Sequence, residues 1–272
     1  MSWFNTGYDA AKEEGSKSLF ESSGPKRVWM PPRETMRGMF LDDDPISYWE
    51  HGFKMNGKWG NFEPCHKKNR QLGDDRCPIC DSGEKMWPSF VGLHTIMNMT
   101  PWFTKKENRE INFQRQIYGA KMGSEKKPGI LKKLERLKST HGRLRGIIFD
   151  IHRSGEKTES CGDDFTLVEK IDVGDIQKYA REQVGLYVKR INEKLPAKDH
   201  VTVDQLFKKN PWEPFNFEKV IQPRKLSELD RLFGAGGKAS GGSDDDFGGG
   251  EGEGKSKGDD DKGDDKDESS PY

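Results

Sequence analysis

Residues 90–99 read Phe-Val-Gly-Leu-His-Thr-Ile-Met-Asn-Met, and the alternation within this run sets the fold class. Alternate positions of an extended chain share one face, and here five of them suit a buried face: Val91, Leu93, Thr95, Met97 and Met99. This spacing predicts a β-strand. Residues 110–121 alternate in the same way, so we expect the two segments to pair across the loop that contains residues 102–106.

Further strands and one helix surround this pair. The predicted strands lie at 34–41 and 46–51, in a hairpin at 53–59 with an Asn56-Gly57 turn, and at 144–152 and 165–171. An apolar stripe predicts a helix at 128–140. The chain is therefore predicted to be mainly β with added helices. The order favours a five-stranded OB barrel, and other small α+β barrels would give a similar order.

The barrel and the segments attached to it are expected to form one core domain, residues 25–233. Helical spacing over 175–195, a capping-box pattern at Thr202 and Gln205, and a last helical turn at 227–233 predict a helical extension over about 172–233. The spacing of its apolar residues indicates packing against the core, so no chemistry is assigned to it.

A cluster of metal-competent residues interrupts the strands. Cys77-Pro-Ile-Cys80 has the spacing of a zinc knuckle, and Cys65 supplies a third thiolate. The fourth ligand is His51 or His66; we favour His51, because His66 adjoins Cys65 and neighbouring residues rarely both reach one ion. This predicts a zinc-binding subdomain over about 51–83 with one structural Zn²⁺. Four protein ligands leave no open position, so no catalytic residue is predicted; the alternative is reduced cysteines without a metal.

The net charge of zero conceals two oppositely charged regions. Residues 234–272 contain 12 Asp and Glu against 5 Lys, a net charge of −7, so residues 1–233 carry +7. The acidic tail is rich in Gly and Asp, and its composition predicts disorder. It could serve as a docking peptide for partner proteins, as a nucleic-acid mimic lying on the basic body, or as a linker without a partner.

Length and cysteine content restrict the remaining classes. Residues 1–24 are polar with scattered aromatics and predict a flexible N-terminal arm. No run of eighteen apolar residues and no signal-peptide pattern occurs, which predicts a soluble protein without membrane contact. Four cysteines, three of them clustered, indicate a reducing compartment, and Cys161 is expected to be an exposed thiol.

Basic and aromatic residues are interleaved along the predicted strands. OB barrels hold single-stranded nucleic acid by placing Lys and Arg along the phosphates and by stacking aromatic rings on the bases. The candidate contacts for single-stranded DNA are Lys26, Arg27, Trp29, Arg33, Arg37, Lys58, Trp59, Trp102, Phe103, Lys105, Arg115, Tyr118 and Lys121.

These features together resemble the single-stranded DNA-binding proteins of tailed phages, of the helix-destabilising T-even-like type. The resemblance covers nearly the whole chain. It rests on Lys26-Arg27-Val28-Trp29-Met30-Pro31-Pro32, on the segments 40–45 and 48–51, on Cys65 with Cys77-Pro-Ile-Cys80-Asp-Ser-Gly83, on segments 134–138 and 162–165, and on the acidic end.

The resemblance implies an OB-fold core with a structural zinc held by His51, Cys65, Cys77 and Cys80. It also implies sequence-independent binding of single-stranded DNA in phage replication, recombination and repair, in the cytoplasm of a bacterial host, with weak self-association on the DNA. The tail would recruit replication and recombination proteins. Its expected contact residues are Asp259, Asp260, Asp261, Asp264, Asp265, Asp267, Glu268 and Tyr272.

Two other classes share some of these features. A zinc-containing replication or transcription accessory factor, acting through protein contacts alone, would also combine a zinc loop with an acidic tail. A metal-dependent nuclease would need a carboxylate cluster, for which Asp42 to Asp44 and Asp163-Asp164 are the candidates. Both clusters lie beside turn signals, which favours solvated loops over an active site.

Overall fold

The computed structural model describes residues 25–55, 58–83, 86–104, 109–124 and 127–234. The strands within them are β1 (Thr35–Phe40), β2 (Ile46–Met55), β3 (Lys58–Pro64), β4 (Ser89–Asn98), β5 (Trp102–Thr104), β6 (Arg109–Ile111), β7 (Gln114–Lys121), β8 (Ile147–His152) and β9 (Asp164–Lys170). The helices are α1 (Pro78–Asp81), α2 (Ile130–His141), α3 (Ile176–Asn192), α4 (Val203–Lys209), α5 (Phe217–Val220) and α6 (Leu226–Phe233). The protein is mainly antiparallel β with several helices.

Several predicted features lie outside the described residues. They are the N-terminal arm, the Asn56-Gly57 turn, Lys105, and the acidic tail after Gly234, which includes all eight predicted partner-binding residues. The side chains at 58–60 and 102–104 also lie outside the description, which covers only their backbone.

Strand β4 is the centre of the main sheet. One edge of β4 pairs with β7, from Val91 opposite Lys121 to Asn98 opposite Gln114, which confirms the predicted pairing. The other edge pairs with β2 along its first half and with β1 along its second half. Strand β1 continues to β8 and β9, and β2 continues to β3, so the described ladders of this sheet are all antiparallel.

Strands β1 and β2 act as two halves of one bent strand, and acidic residues hold the bend. The Asp42 carboxylate accepts a hydrogen bond from the Thr95 backbone N–H at 2.6 Å and lies 2.7 Å from His94 Nδ1. The Asp43 carboxylate accepts from the backbone N–H groups of Leu144 and Arg145, both at 2.8 Å. These two carboxylates are therefore structural, rather than solvated as the sequence suggested.

Both faces of β4 are buried, whereas the alternation predicted only one. Ile96 packs into the core that α2 covers, and Gly92 lies so close to Leu131 of α2 that a Cβ there would be 2.4 Å from a Leu131 methyl carbon. Leu93, on the opposite face, packs with Phe217 of the C-terminal extension. The face that the alternation did not predict to be buried is that of Ile96, and it includes His94, whose polarity the Asp42 contact satisfies.

The helical extension forms a strap that runs across the outer surface of the sheet. Helix α3 packs on Met39, Met97 and Ile148 with Trp212, and α5 with its neighbours packs on β4 and β7. Helix α6 reaches the lobe between β3 and β4. The predicted capping box is confirmed, because the Thr202 hydroxyl accepts from the Gln205 N–H and the Gln205 side chain accepts from the Thr202 N–H.

Two local predictions were wrong. Cys161 was expected to be exposed, but it is 3% exposed because its loop folds back over Tyr118 and the core. The connection at 102–106 was expected to be a loop, but residues 102–104 pair with 109–111 as two short strands. The Glu110 carbonyl oxygen in the second of them accepts a hydrogen bond from the Tyr187 hydroxyl at 2.8 Å, which ties this pair of strands to α3.

Candidate metal centre and nucleic-acid face

Four metal-competent side chains meet in the lobe between β3 and β4. His51 lies on β2, Cys65 directly follows β3, Cys77 precedes α1 and Cys80 lies within α1. Pro78 at the start of α1 fixes a backbone angle that suits a helix, and the Asp81 N–H donates to the Cys77 carbonyl at 3.0 Å, so this short turn holds Cys77 and Cys80 on one side.

The separations of the ligand atoms fit one small ion. Cys65 Sγ lies 3.6 Å from Cys80 Sγ, and His51 Nε2 lies 3.5 Å from both Cys77 Sγ and Cys80 Sγ. All four atoms lie within 4.8 Å of one another. Tetrahedral Zn²⁺, with bonds of about 2.3 Å to sulfur and about 2.0 Å to nitrogen, requires sulfurs about 3.8 Å apart and sulfur about 3.5 Å from nitrogen. The four residues could therefore hold a metal ion such as zinc.

The other ring nitrogen of His51, Nδ1, orients the ring for metal binding through Nε2. His51 is fully buried, and its Nδ1 lies 2.7 Å from the backbone carbonyl oxygen of Met86. A carbonyl only accepts, so Nδ1 carries the proton and Nε2 presents its lone pair to the sulfurs. Metal-binding histidines are commonly oriented by such a contact.

His66 is directed away from this cluster. Its Nδ1 lies 2.6 Å from the Asp74 carboxylate, and it is not among the residues whose ligand atoms converge. The choice of His51 over His66 is thereby confirmed within the described residues. The adjacent loop is held by Asn69, whose side chain bonds both backbone groups of Trp49 and the carbonyl of Cys65.

The thiols influence one another's protonation. A hydrogen bond from the Cys65 thiol, with a further contribution from His51, lowers the pKa of Cys77 to about 2 against the opposing effect of burial. The same contact with Cys77, together with burial, raises the pKa of Cys65. Burial raises the pKa of Cys80. These contacts favour the thiolate at Cys77 and the protonated thiol at Cys65 and Cys80, whereas metal binding requires all three to lose protons.

Three of the predicted DNA contacts form an exposed strip beside β7. Lys26 and Arg33 are exposed, and Trp29 between them is 64% exposed. The strip is fixed to the sheet, since the Val28 N–H donates to the Ile117 carbonyl at 2.8 Å and the Met30 N–H to the Ser160 carbonyl at 2.7 Å. These side chains can reach a ligand on the surface without rearrangement of the backbone.

Other predicted contacts already have partners inside the protein. Arg27 forms an ion pair with Glu50 and lies 3.6 Å above the ring of Phe62. Arg115 donates to the Glu213 carbonyl at 3.0 Å, and burial lowers its pKa. Lys121 is half-buried beside Glu159. Arg37 is half-exposed but pairs with Asp150 through two contacts of 2.8 Å.

Of the two predicted stacking rings whose side chains the structure describes, Trp29 and Tyr118, the fold removes Tyr118 from the surface. It is fully buried in the main core, and its ring lies 5.4 Å from that of Phe40 in an edge-on arrangement. The prediction that it stacks on a base requires an exposed ring face, so Tyr118 is corrected to a core residue. Burial also raises its pKa well above the ordinary value.

Sequence reasoning missed a second exposed basic and aromatic group on the metal lobe. Trp87 is 83% exposed and directly follows Met86, whose carbonyl contacts His51. Lys67, Lys68 and Arg70 are exposed on the turn after Cys65, and the Lys68 ammonium lies 5.3 Å from the ring centre of Trp49. The run of basic residues at 66–70 was the available signal.

No protein-family model, curated protein sequence or solved structure matches the chain. Among the described residues, no helix is both long and apolar enough to cross a bilayer. Asp163 of the second candidate carboxylate cluster lies directly before β9 and is bound within the protein, because it accepts from the Ser154 N–H at 2.8 Å and from the Ser154 hydroxyl at 2.6 Å. The chemistry of the two candidate sites therefore rests on the distances and burial given above.

Proposed function

We propose that the chain is a sequence-independent single-stranded DNA-binding protein, with an OB-type core, a structural zinc in the lobe between β3 and β4, and an acidic tail that recruits replication and recombination proteins. It binds and organises DNA strands rather than cleaving them. The observation that carries this proposal is the exposed strip of Lys26, Trp29 and Arg33, in which an exposed indole lies between two exposed cations along the chain.

The position of the strip agrees with how OB barrels bind oligonucleotides. Counting β1 and β2 as one bent strand, the chain supplies five strands in the order β1–β2, β4, β7, β8 and β9, with α2 between the third and the fourth. Ligands of OB folds lie across strands 2 and 3 and between the loops that join strands 1 to 2 and 4 to 5. Trp29 lies beside β7, the third strand, and beside Ser160 in the loop between the last two strands.

The metal lobe occupies the other of those two loops. It joins β3 to β4, and it presents Lys67, Lys68, Arg70 and Trp87 to solvent. Zinc there would cross-link the loop, because all four ligands come from the protein. It would have no open coordination position for a substrate or water, so a structural role is expected rather than a catalytic one. Its role is to hold the lobe folded.

The charge distribution supports binding to a polyanion with a tethered competitor. Residues 1–233 carry a net charge of +7 and residues 234–272 carry −7. Cations that neutralise phosphates release condensed counterions, which favours binding at low salt. The tail is left with the role of docking partner proteins, and of covering the basic body when DNA is absent.

Titration of a fluorescent oligothymidylate at several salt concentrations, beside a duplex of equal length, tests the proposal. We expect tight, salt-dependent binding of the single strand and much weaker binding of the duplex, whose bases are already stacked. Trp29→Ala should cost about 1–3 kcal/mol of binding with little change in salt slope. Leu186→Ala, on an exposed position of α3, is the matched control.

Two other outcomes would overturn the proposal. Negligible affinity for either form of DNA would leave the accessory-factor function, with Trp87 as the first residue to test in protein contacts. Cleavage of the oligonucleotide that depends on a divalent ion would establish a nuclease instead.

A further inference from the structure

Helix α6, the last element of the strap, is built onto the metal lobe. Leu229 is fully buried and Phe233 is 5% exposed. Both pack in one cluster with side chains of the lobe: Phe53, Cys65, Cys77 and Ile79. The rings of Phe53 and Phe233 meet edge to face with centres 5.1 Å apart. Cys80 packs against the same cluster, so three of the four candidate metal ligands belong to the apolar cluster that α6 joins.

Ion pairs fix the register of this contact. Glu63, at the end of β3, is almost fully buried and accepts from the Arg224 backbone N–H at 2.8 Å and from its guanidinium at 2.7 Å. Arg76 of the lobe pairs with Asp230 of α6 through contacts of 2.7 and 2.5 Å. The second pair is exposed and adds little stability, but it specifies which turn of α6 faces the lobe.

Neither partner of this contact is stable on its own. Helix α6 has eight residues, and isolated helices shorter than about 12 residues are marginal in water. In the part of the lobe that the structure describes, the regular elements are the four-residue helix α1 and a short 3₁₀ turn at Arg70–Leu72, so little regular structure holds its cysteines in place. A metal cross-link and the apolar face of α6 would add to the hydrogen bonds of Asn69 in ordering it.

We propose that metal binding and the docking of α6 are thermodynamically linked, so that the metal holds the root of the acidic tail on the body. The acidic tail begins at Gly234, which directly follows α6. Loss of the metal loosens the lobe, frees α6 and lengthens the tether of the acidic segment by at least the length of the helix. The linkage does not rest on DNA binding.

Linkage is reciprocal, which gives a sharp test. Leu229→Ala and Phe233→Ala remove buried contacts of α6 and leave all four ligand residues unaltered, and Ser227→Ala on the exposed side of the same helix is the matched control. Competition of the full-length, zinc-loaded protein with a chromophoric chelator measures zinc affinity. We expect zinc binding to be at least about tenfold weaker in the two core variants. The zinc affinity of the control variant should equal that of the unaltered protein.

Cleavage by trypsin measures the effect in the opposite direction, that of zinc on the docking of α6. Arg231 is exposed on α6 and becomes cleavable only when the helix undocks. Zinc-loaded protein should resist cleavage after Arg231, chelation should expose the site, and added zinc should restore protection. If both core variants fold by circular dichroism and hold zinc as tightly as the unaltered protein, or if cleavage after Arg231 is the same with and without zinc, the linkage does not exist.

Discussion

The guanidinium of Arg27 contacts both carboxylate oxygens of Glu50, at 2.7 and 2.5 Å, although the two residues are 23 positions apart. The Arg27 side chain is 19% exposed and that of Glu50 only 5%. Tyr48 also donates to this carboxylate at 2.8 Å, and burial raises the pKa of its hydroxyl. A basic residue that the sequence suggests for DNA binding thus joins the segment beside β7 to strand β2.

Breaking this pair should lower stability rather than DNA affinity. Glu50→Ala leaves a largely buried cation unpaired, so we expect a loss of about 3–5 kcal/mol in the free energy of unfolding, measured in urea. Arg27→Ala should destabilise similarly and leave the salt slope of DNA binding unchanged. Lys26→Ala, the exposed neighbour, should instead lower the slope by about 0.7. A reduced slope for Arg27→Ala in folded protein would restore Arg27 as a phosphate contact.

Arg37 offers the reverse case, because its partner is at the surface. The Asp150 carboxylate takes a hydrogen bond from Arg37, which lowers the pKa of Asp150. Asp150→Asn removes the competing charge, so we expect tighter binding of single-stranded DNA and a salt slope larger by about 0.7. Thr166→Ala, exposed on β9 opposite Asp150, is a suitable control. Unchanged affinity in the Asp150 variant would place Arg37 outside the interface.

The same pair predicts a dependence of stability on pH. An aspartate with a depressed pKa stabilises the folded protein at pH values above its unfolded pKa of about 3.9, and this contribution disappears as the pH falls through the folded pKa. Arg37→Ala should therefore reduce stability at pH 7 and have little effect near pH 2. Because both groups are half-exposed, the difference is small, and urea titrations at the two pH values are the appropriate measurement.

The reactivity of the thiols should distinguish protection of three cysteines by the metal from protection of Cys161 by burial. Burial raises the pKa of Cys161 to about 12, so its thiol is both inaccessible and protonated at pH 8. In zinc-loaded protein we expect slow reaction of all four cysteines with a disulfide reagent. Chelation should expose three, and the fourth should react only in denaturant. Rapid reaction of Cys161 in native protein would contradict its burial.

Features that depend on residues close together in the sequence were predictable, and features that depend on distant segments were not. Alternation at 90–99, the Thr202 capping box and the cysteine spacing depend on neighbours in sequence, and the fold bears them out. The second buried face of β4, which α2 covers, and the pairing of Arg27 with Glu50 depend on segments far away along the chain. A local pattern cannot show which exposed-looking cation has a partner.

The two histidines beside the cysteines allow the metal assignment to be tested by contrast. His51→Ala removes a ligand nitrogen that lies 3.5 Å from two sulfurs, so the purified protein should retain little zinc. His66→Ala removes only the contact with Asp74, so zinc content should stay near one ion per chain. His66 is nevertheless buried, and its Nε2 has no hydrogen-bond partner among the described groups, so a moderate loss of stability is compatible with the assignment. Loss of zinc in His66→Ala together with its retention in His51→Ala would reverse the assignment of the fourth ligand.

The opposite charges of body and tail lead to the last prediction. A segment of net charge −7 tethered to a body of +7 has a high effective concentration at any basic surface, and salt screens the attraction over about 10 Å at 0.1 M. Deletion of residues 235–272 should therefore tighten binding of single-stranded DNA most at low salt and weaken it at no salt concentration. Replacement of the tail's acidic residues by Asn and Gln at constant length should reproduce the deletion, because charge rather than bulk causes the competition. Equal low-salt affinities for the full-length and truncated proteins would leave the tail only its role in recruiting partners.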